Sequence, residues 1–176
     1  MGKKLVVGVD VAKGSFAVSL FDGRKFRDFS LSSSPEEFLE RVTPHLPENP
    51  GEVLFIMEAT GIYHLNLALF LRKKGYPVSV VNPFVAKKFA EMLQKRAKTD
   101  SVDARTLAQL GFLASPPPFV PKDEKAYLLE EIQKSIESYQ KRRTEILNHL
   151  EALHHRPFHH PKLQKLYEEE LQRIEK

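Results

Sequence analysis

A mixed α/β fold, with a five-stranded sheet flanked by helices and a helical coiled-coil segment behind it, follows from three features of this 176-residue chain. Three short strand-like runs open it, two apolar strands separated by a helical stretch come next, and apolar residues beyond Pro121 recur at alternating spacings of three and four. Period-two and heptad patterns in that order describe a sheet domain followed by long helices.

The opening strands are Lys4 to Val11, Ser15 to Phe21 with apolar alternation at Phe16, Val18 and Leu20, and Lys25 to Leu31. Asp22-Gly23 is a hairpin turn signal between the second and third, so the three form a meander. Ser34-Pro35-Glu36-Glu37 then starts a helix, with Ser34 as N-cap and Pro35 at the first helical position. Phe38, Leu39 and Val42 supply its buried face, and Pro44, Pro47 and Pro50 end it.

Val53 to Met57 is continuously apolar, as in a strand covered on both faces. A helix from about Ile62 to Lys74, the break Gly75-Tyr76-Pro77 and a strand Val78 to Val81 complete a βαβ unit with a right-handed crossover. Residues 84–97 predict an amphipathic helix with Val85, Phe89, Met92 and Leu93 inward and Lys87, Lys88 and Lys95 outward. Asp103 to Ala114 makes the next helix, stopped by Ser115-Pro116-Pro117-Pro118. A first domain therefore occupies residues 1–118, and a helical segment 122–176. In the latter, Leu129, Ile132, Ile136, Tyr139, Arg143, Ile146, Leu150 and Leu153 form a heptad seam with one polar fault, fit to pair with another chain, to fold back on the helix of residues 162–176 or to pack on the first domain.

Composition narrows the chemistry. The chain has no cysteine, so disulfides and thiolate metal sites are excluded and hard oxygen ligands remain. No apolar run reaches the roughly 18 to 20 residues of a membrane span, and the start lacks a signal-peptide core, so a soluble cytoplasmic protein is expected. The net charge of +4 is uneven: residues 1–121 hold 16 Lys/Arg against 12 Asp/Glu, and 122–176 hold 11 of each. Arg72 to Arg105 is the densest basic stretch, with nine basic and three acidic residues, which suits a polyanionic partner. His154, His155, His159 and His160 lie in a proline-containing loop with no acid or cysteine among them, and a zinc site is not expected there.

Four acids stand apart. Asp10 closes the apolar run Leu5 to Val9, and Glu58 follows Val53 to Met57, so each ends a buried strand. An ionised carboxylate there loses hydration that a cation or hydrogen bonds must replace. Asp100 and Asp103 lie three residues apart, on one face of a helix. By themselves, a capping Asp100 and a solvated first-turn Asp103 account for that pair equally well. The element order, however, describes the ribonuclease-H-like fold, in which the first strand lies beside the fourth. Asp10 and Glu58 then face one crevice at the carboxyl ends of parallel strands, and the helix bearing Asp100 and Asp103 closes it. Four acids in one crevice suit two Mg²⁺ or Mn²⁺ ions and phosphoryl transfer on nucleic acid.

The strings Val7-Gly8-Val9-Asp10-Val11-Ala12-Lys13, Met57-Glu58-Ala59-Thr60-Gly61-Ile62-Tyr63 and Lys98-Thr99-Asp100-Ser101-Val102-Asp103-Ala104-Arg105 closely resemble the DEDD transposases of bacterial and archaeal insertion sequences, the family numbered one hundred and ten, which includes the Piv-type invertases. The resemblance covers about residues 4–115, and the family's amino domain is similar to the RuvC Holliday-junction resolvase. It implies that Asp10, Glu58, Asp100 and Asp103 are catalytic metal ligands, with Asp10 bridging both ions. Lys13 and Thr60 would face the scissile phosphate or the ligands' surroundings, and Lys98 and Arg105 the nucleic-acid backbone, a local salt bridge being the ordinary role for each. It further implies DNA and a structured guide RNA from the element as partners, and homo-oligomers. Family members continue into a carboxy-terminal domain with a serine nucleophile, which nothing here matches. The chain is thus expected to be an amino-terminal portion that binds metal and nucleic acid without completing strand exchange.

Two other readings remain at this level. A non-catalytic nucleic-acid-binding or dimerisation module derived from a RuvC-like nuclease would have broken acids, whereas all four are intact. A sugar-kinase or actin-fold fragment would carry an early glycine and Thr/Ser pattern that Val11-Ala12-Lys13-Gly14 lacks.

Overall fold

The computed structural model describes residues 5–32, 34–59, 63–93, 100–158 and 160–175, those at 100–102 by backbone alone. They fall into two compact units, Met1–Pro121 and Lys122–Lys176.

The first unit is a five-stranded mixed sheet in the order β3-β2-β1-β4-β5, built from β1 (Leu5–Ala12), β2 (Ser15–Phe21), β3 (Phe26–Ser32), β4 (Val53–Glu58) and β5 (Val78–Val81). β1 pairs antiparallel with β2, and β2 with β3, whereas β4 lies parallel to both β1 and β5. This is the ribonuclease-H-like arrangement the sequence predicts, with β1 central. The β2–β3 hairpin closes on Asp22, whose carboxylate accepts from the backbone N–H of Arg24 and Lys25 at 2.8 Å each. Those two donors hold the Asp22 carboxyl below its ordinary range. Gly23 follows at φ +92°, a conformation L side chains rarely adopt.

Helices cover both faces. On one side α1 (Pro35–Val42) and α2 (Tyr63–Lys73) enclose Val7, Val9, Val18, Phe55 and Met57 with Phe38, Val42, Leu67 and Leu71. α1 starts as predicted: the Ser34 hydroxyl accepts from the backbone N–H of Glu37 at 3.3 Å, and Pro35 is its first residue. Phe38 and Val42 are wholly buried, and Phe38 meets the Phe16 ring edge-on at 5.4 Å. Full burial of one such ring contributes about 1.5–3 kcal/mol.

On the other side lie α3 (Pro83–Met92) and α4 (Asp100–Ala114), over Val6, Leu54, Ile56 and Val81. The α3 face differs from the expected one. Val85 and Met92 are 47% and 65% exposed, while Ala86 is buried and Phe89, Ala90 and Leu93 half-buried. Asn82 caps the helix through the backbone N–H of Phe84 at 2.8 Å and sets its rotation. A stripe of small residues at 86 and 90 then lets α3 approach its neighbours more closely than Val85 and Met92 would. Residues 94–97 of that expected helix, Lys95 included, lie outside the described residues.

α4 begins at Asp100, three residues earlier than the sequence suggests, so Asp100 belongs to the helix. It ends at Ala114, where Ser115 takes φ +44° and turns the chain out. The proline segment then runs along β5: the buried Ser79 hydroxyl donates to the carbonyls of Pro116 and Pro117 at 3.1 and 2.9 Å, and the Phe119 N–H to the Val78 carbonyl at 2.7 Å. An otherwise open sheet edge is thereby covered.

The second unit is a hairpin of α5 (Glu124–His154) and α6 (Pro161–Ile174). Only the far half of the predicted seam folds back, with Ile146 and Leu153 buried. Leu129, Ile132, Ile136 and Tyr139 are between 51% and 66% exposed. Arg142 and Arg143 donate to Glu170 and Glu175 at 2.9 and 3.0 Å, near the carboxyl end of α6. No helix among the described residues is long and apolar enough to cross a membrane.

One position tests this packing. A Cβ on Gly8 would lie 2.1 Å from the Ala104 carbonyl oxygen and 2.5 Å from the Ala108 nitrogen, backbone atoms of α4 that no side-chain rotation can clear. Gly8→Ala is expected to destabilise the chain by about 1–3 kcal/mol or more. Urea denaturation reads this directly, and an unchanged midpoint would mean that α4 can leave β1 at no cost.

Candidate active site at the carboxyl end of the parallel strands

β1 splits its residues between the two faces with period two. Val7, Val9 and Val11 enter the α1/α2 core, and Val6 the α3/α4 core, so Gly8 and Asp10 share the face of Val6. On β4, Glu58 pairs with Val81, another residue of the α3/α4 core. The parallel register aligns Val9 with Met57, which sets Asp10 and Glu58 one residue further along adjacent strands. Both carboxylates are half-buried at the same end of the same face. The expected strand-end pair is therefore formed, because neighbouring parallel strands in register present equivalent positions alike.

α4 brings the other two acids to that end. Ala104 and Ala108 lie against Gly8, and Gly111 meets Val6 and Ile56, where a Cβ would approach 2.8 and 3.1 Å. As the numbers rise along α4 they fall along β1, so the helix runs against the strand and its amino end lies toward Asp10. Asp103, half-buried, is one residue before the Ala104–Gly8 contact, and Asp100 is one turn closer to the end. The partial positive charge of a helix amino end favours carboxylates there.

All donors in this set are carboxylate oxygens, the ligand type that Mg²⁺ and Mn²⁺ take. Among the described residues no three His, Cys, Asp or Glu side chains group closely enough to hold a metal ion, a set that leaves out the Asp100 side chain. Asp10, Glu58 and Asp103 all have interactions of their own.

The supporting residues divide. Lys13 is exposed in the β1–β2 turn, next to Gly14 at φ +95° and at the same end of β1 as Asp10. Thr60 and Lys98 lie outside the described residues. Arg105 is committed within the protein: its Nε donates to Asp28 at 2.9 Å, and its guanidinium lies over the Phe26 ring at 5.3 Å. Asp28 also accepts from the buried Ser19 hydroxyl at 2.8 Å. Hydrogen bonding and charge from Arg105 hold the Asp28 carboxyl below its usual range and push Arg105 up. Sequence reasoning missed Asp28 and Ser19. A polar residue facing α4 on each of two paired strands, Ser19 opposite Asp28, was the available signal.

The matched family model decides where this chain stands: residues 7–157 fit the DEDD transposase model, described as a transposase. The chain belongs to the DEDD transposase family. Pilin gene-inverting proteins of Moraxella lacunata and Moraxella bovis are each 29% identical over 153 residues, 85% of this chain and 47% of theirs. The chain spans about half the length of those curated relatives. Two Thermus thermophilus RuvC structures, one in complex with a Holliday junction substrate, match at 16% and 11% identity with TM-scores of 0.44, covering 65% of this chain and 99% of theirs.

The Arg105–Asp28 pair has side chains 46% and 29% exposed, so its coupling in a double-mutant cycle with Ala is expected to be at most about 1 kcal/mol. Because folding depresses the Asp28 pKa, the stabilisation is present above its unfolded value near 3.9 and is lost as pH falls through the folded value. Thermal melts of wild type and Asp28→Asn should therefore differ at pH 7 and converge as pH drops below about 4. A difference that persists at low pH would assign the effect to packing rather than charge.

Proposed function

We propose that this chain carries the metal-dependent catalytic centre of a DNA transposase or recombinase, acting by phosphoryl transfer on DNA during movement of an insertion sequence. The observation that carries the reading is the placement of Asp10 and Glu58 at equivalent ends of adjacent parallel strands, beneath the amino end of the helix bearing Asp100 and Asp103. Membership of a transposase family supports the same reaction class.

Asp10, Glu58, Asp100 and Asp103 would hold Mg²⁺ or Mn²⁺, in a pair of ions. Bound there, the ions supply charge neutralisation at the phosphodiester and a lowered pKa for the attacking hydroxyl. The chain's own contribution is positional. The sheet holds Asp10 and Glu58 on neighbouring strands, and α4 carries Asp103 toward the same end. Lys13, at the rim, is placed to meet a backbone phosphate, and Thr60 and Lys98 flank the acids in sequence. Arg105 would reach a phosphate by exchanging it for Asp28.

DNA is the expected substrate, guided by a structured RNA from the element, in the cytoplasm. The exposed half of the α5 seam is proposed to join two copies of the chain in a coiled coil, since Leu129, Ile132, Ile136 and Tyr139 keep heptad spacing with nothing over them in α6.

Two measurements test this reading. Calorimetric titration with Mn²⁺ should show binding to the wild type and at least a tenfold loss in Asp10→Asn, corresponding to about 1.4 kcal/mol or more; equal binding by both removes Asp10 from the site. Sedimentation of Ile132→Glu/Ile136→Glu should give a species of half the wild-type mass, and an unchanged mass would assign the seam to some other partner.

A further inference from the structure

The α5–α6 hairpin is electrically polarised in a way its neutral sum conceals. From residue 152 to 167 there is no acid, while Arg156, Lys162 and Lys165 stand among four histidines. The remainder of residues 122–176 therefore carries eight Lys/Arg against eleven Asp/Glu. Away from the turn, Arg142 and Arg143 are tied to Glu170 and Glu175. At the turn, Arg156 and Lys162 form no ion pair among the described residues.

Phe158 stands in the middle of this basic cap at 90% exposure, more than any other large hydrophobic residue among those described. A solvated phenyl ring at a loop tip gains nothing for the fold. Pro157 and Pro161 restrict the loop, His160 caps α6 through the backbone N–H of Lys162, and beneath the tip Leu153 is buried and the His149 ring stacks on Tyr167 at 5.0 Å and 7°. The result is one exposed apolar ring in a segment whose charged residues are all basic.

We infer that the tip of the hairpin is a binding site for unpaired nucleotides, in which Phe158 stacks on a base while Arg156 and Lys162, joined by Lys165 on exchange of its 3.9 Å pairing with Glu169, neutralise the flanking phosphates. A lone ring among cations has the chemistry of single-strand recognition: stacking is available on any base with a free face, and charge follows the backbone. Duplex bases offer no such face. A membrane or a groove on another protein would call for an apolar stripe along a helix rather than a single ring. The site stands on the second unit alone and involves no metal, so it survives or fails independently of the catalytic reading.

Fluorescence anisotropy of the whole chain in EDTA, with labelled oligo-dT, oligo-U and a duplex, tests it. Phe158→Ala should weaken single-strand binding by about 5- to 100-fold, leave duplex binding unchanged, and keep the salt dependence of wild type. Arg156→Ala/Lys162→Ala/Lys165→Ala should lower the slope of log affinity against log salt by about 2. Phe158→Trp should restore binding, and circular dichroism should be the same for all variants because the ring is outside the core. Loss on oligo-U alone names RNA as the ligand, loss on oligo-dT alone names DNA, and loss on both assigns the shared chemistry. Unchanged single-strand affinity in Phe158→Ala, or an equal loss on duplex, would overturn the proposal.

Discussion

The contact of α4 with β1 is the constraint on which the sheet unit depends. A helix normally rests on a sheet through a layer of side chains, yet here the Ala104 carbonyl lies where a Gly8 Cβ would be, and Gly111 repeats the device against Val6 and Ile56. Gly8 on the strand with Ala104 and Ala108 on the helix brings backbone to backbone, while Gly111 leaves room for the Val6 and Ile56 side chains. Such close approach fixes the helix along the strand to within a fraction of a turn, because a shift would drive Leu107 or Leu110 into the space that the small residues leave. The position of the amino end of α4 over the strand ends follows from this packing.

That positioning sets an electrostatic problem and part of its answer. Bringing acids from α4 toward Asp10 and Glu58 costs Coulomb repulsion in a half-buried setting, where screening is weaker than in water. The amino end of α4 offsets some of it through the aligned peptide dipoles. The apolar layer of Val6, Leu54, Ile56, Leu107 and Leu110 holds the helix down against the rest. The Arg105–Asp28–Ser19 chain sits just beyond, one residue past the Ala104 contact, and ties the same stretch of helix to β3 and β2.

Charge is distributed differently in the two units. In the sheet unit the acids with special settings are gathered at one end while lysines and arginines dominate the remaining surface. In the hairpin, acids pair with Arg142, Arg143 and Lys165, while Arg156 and Lys162 at the turn have no ion pair among the described residues.

Much of this was legible without coordinates, because the signals were local. Period-two alternation named the meander strands, Asp22-Gly23 its turn, Ser34-Pro35 the start of α1, and an acid at the end of each continuous apolar run pointed to the crevice. What the tertiary structure alone decided involves partners distant in the chain. It turned α3 onto its alanines rather than Val85 and Met92, engaged Arg105 with Asp28 across 77 positions, started α4 at Asp100, and left half of the heptad seam uncovered. Local periodicity records which residues share a face, whereas burial and pairing depend on what arrives against that face, and that is fixed only when the whole chain has packed.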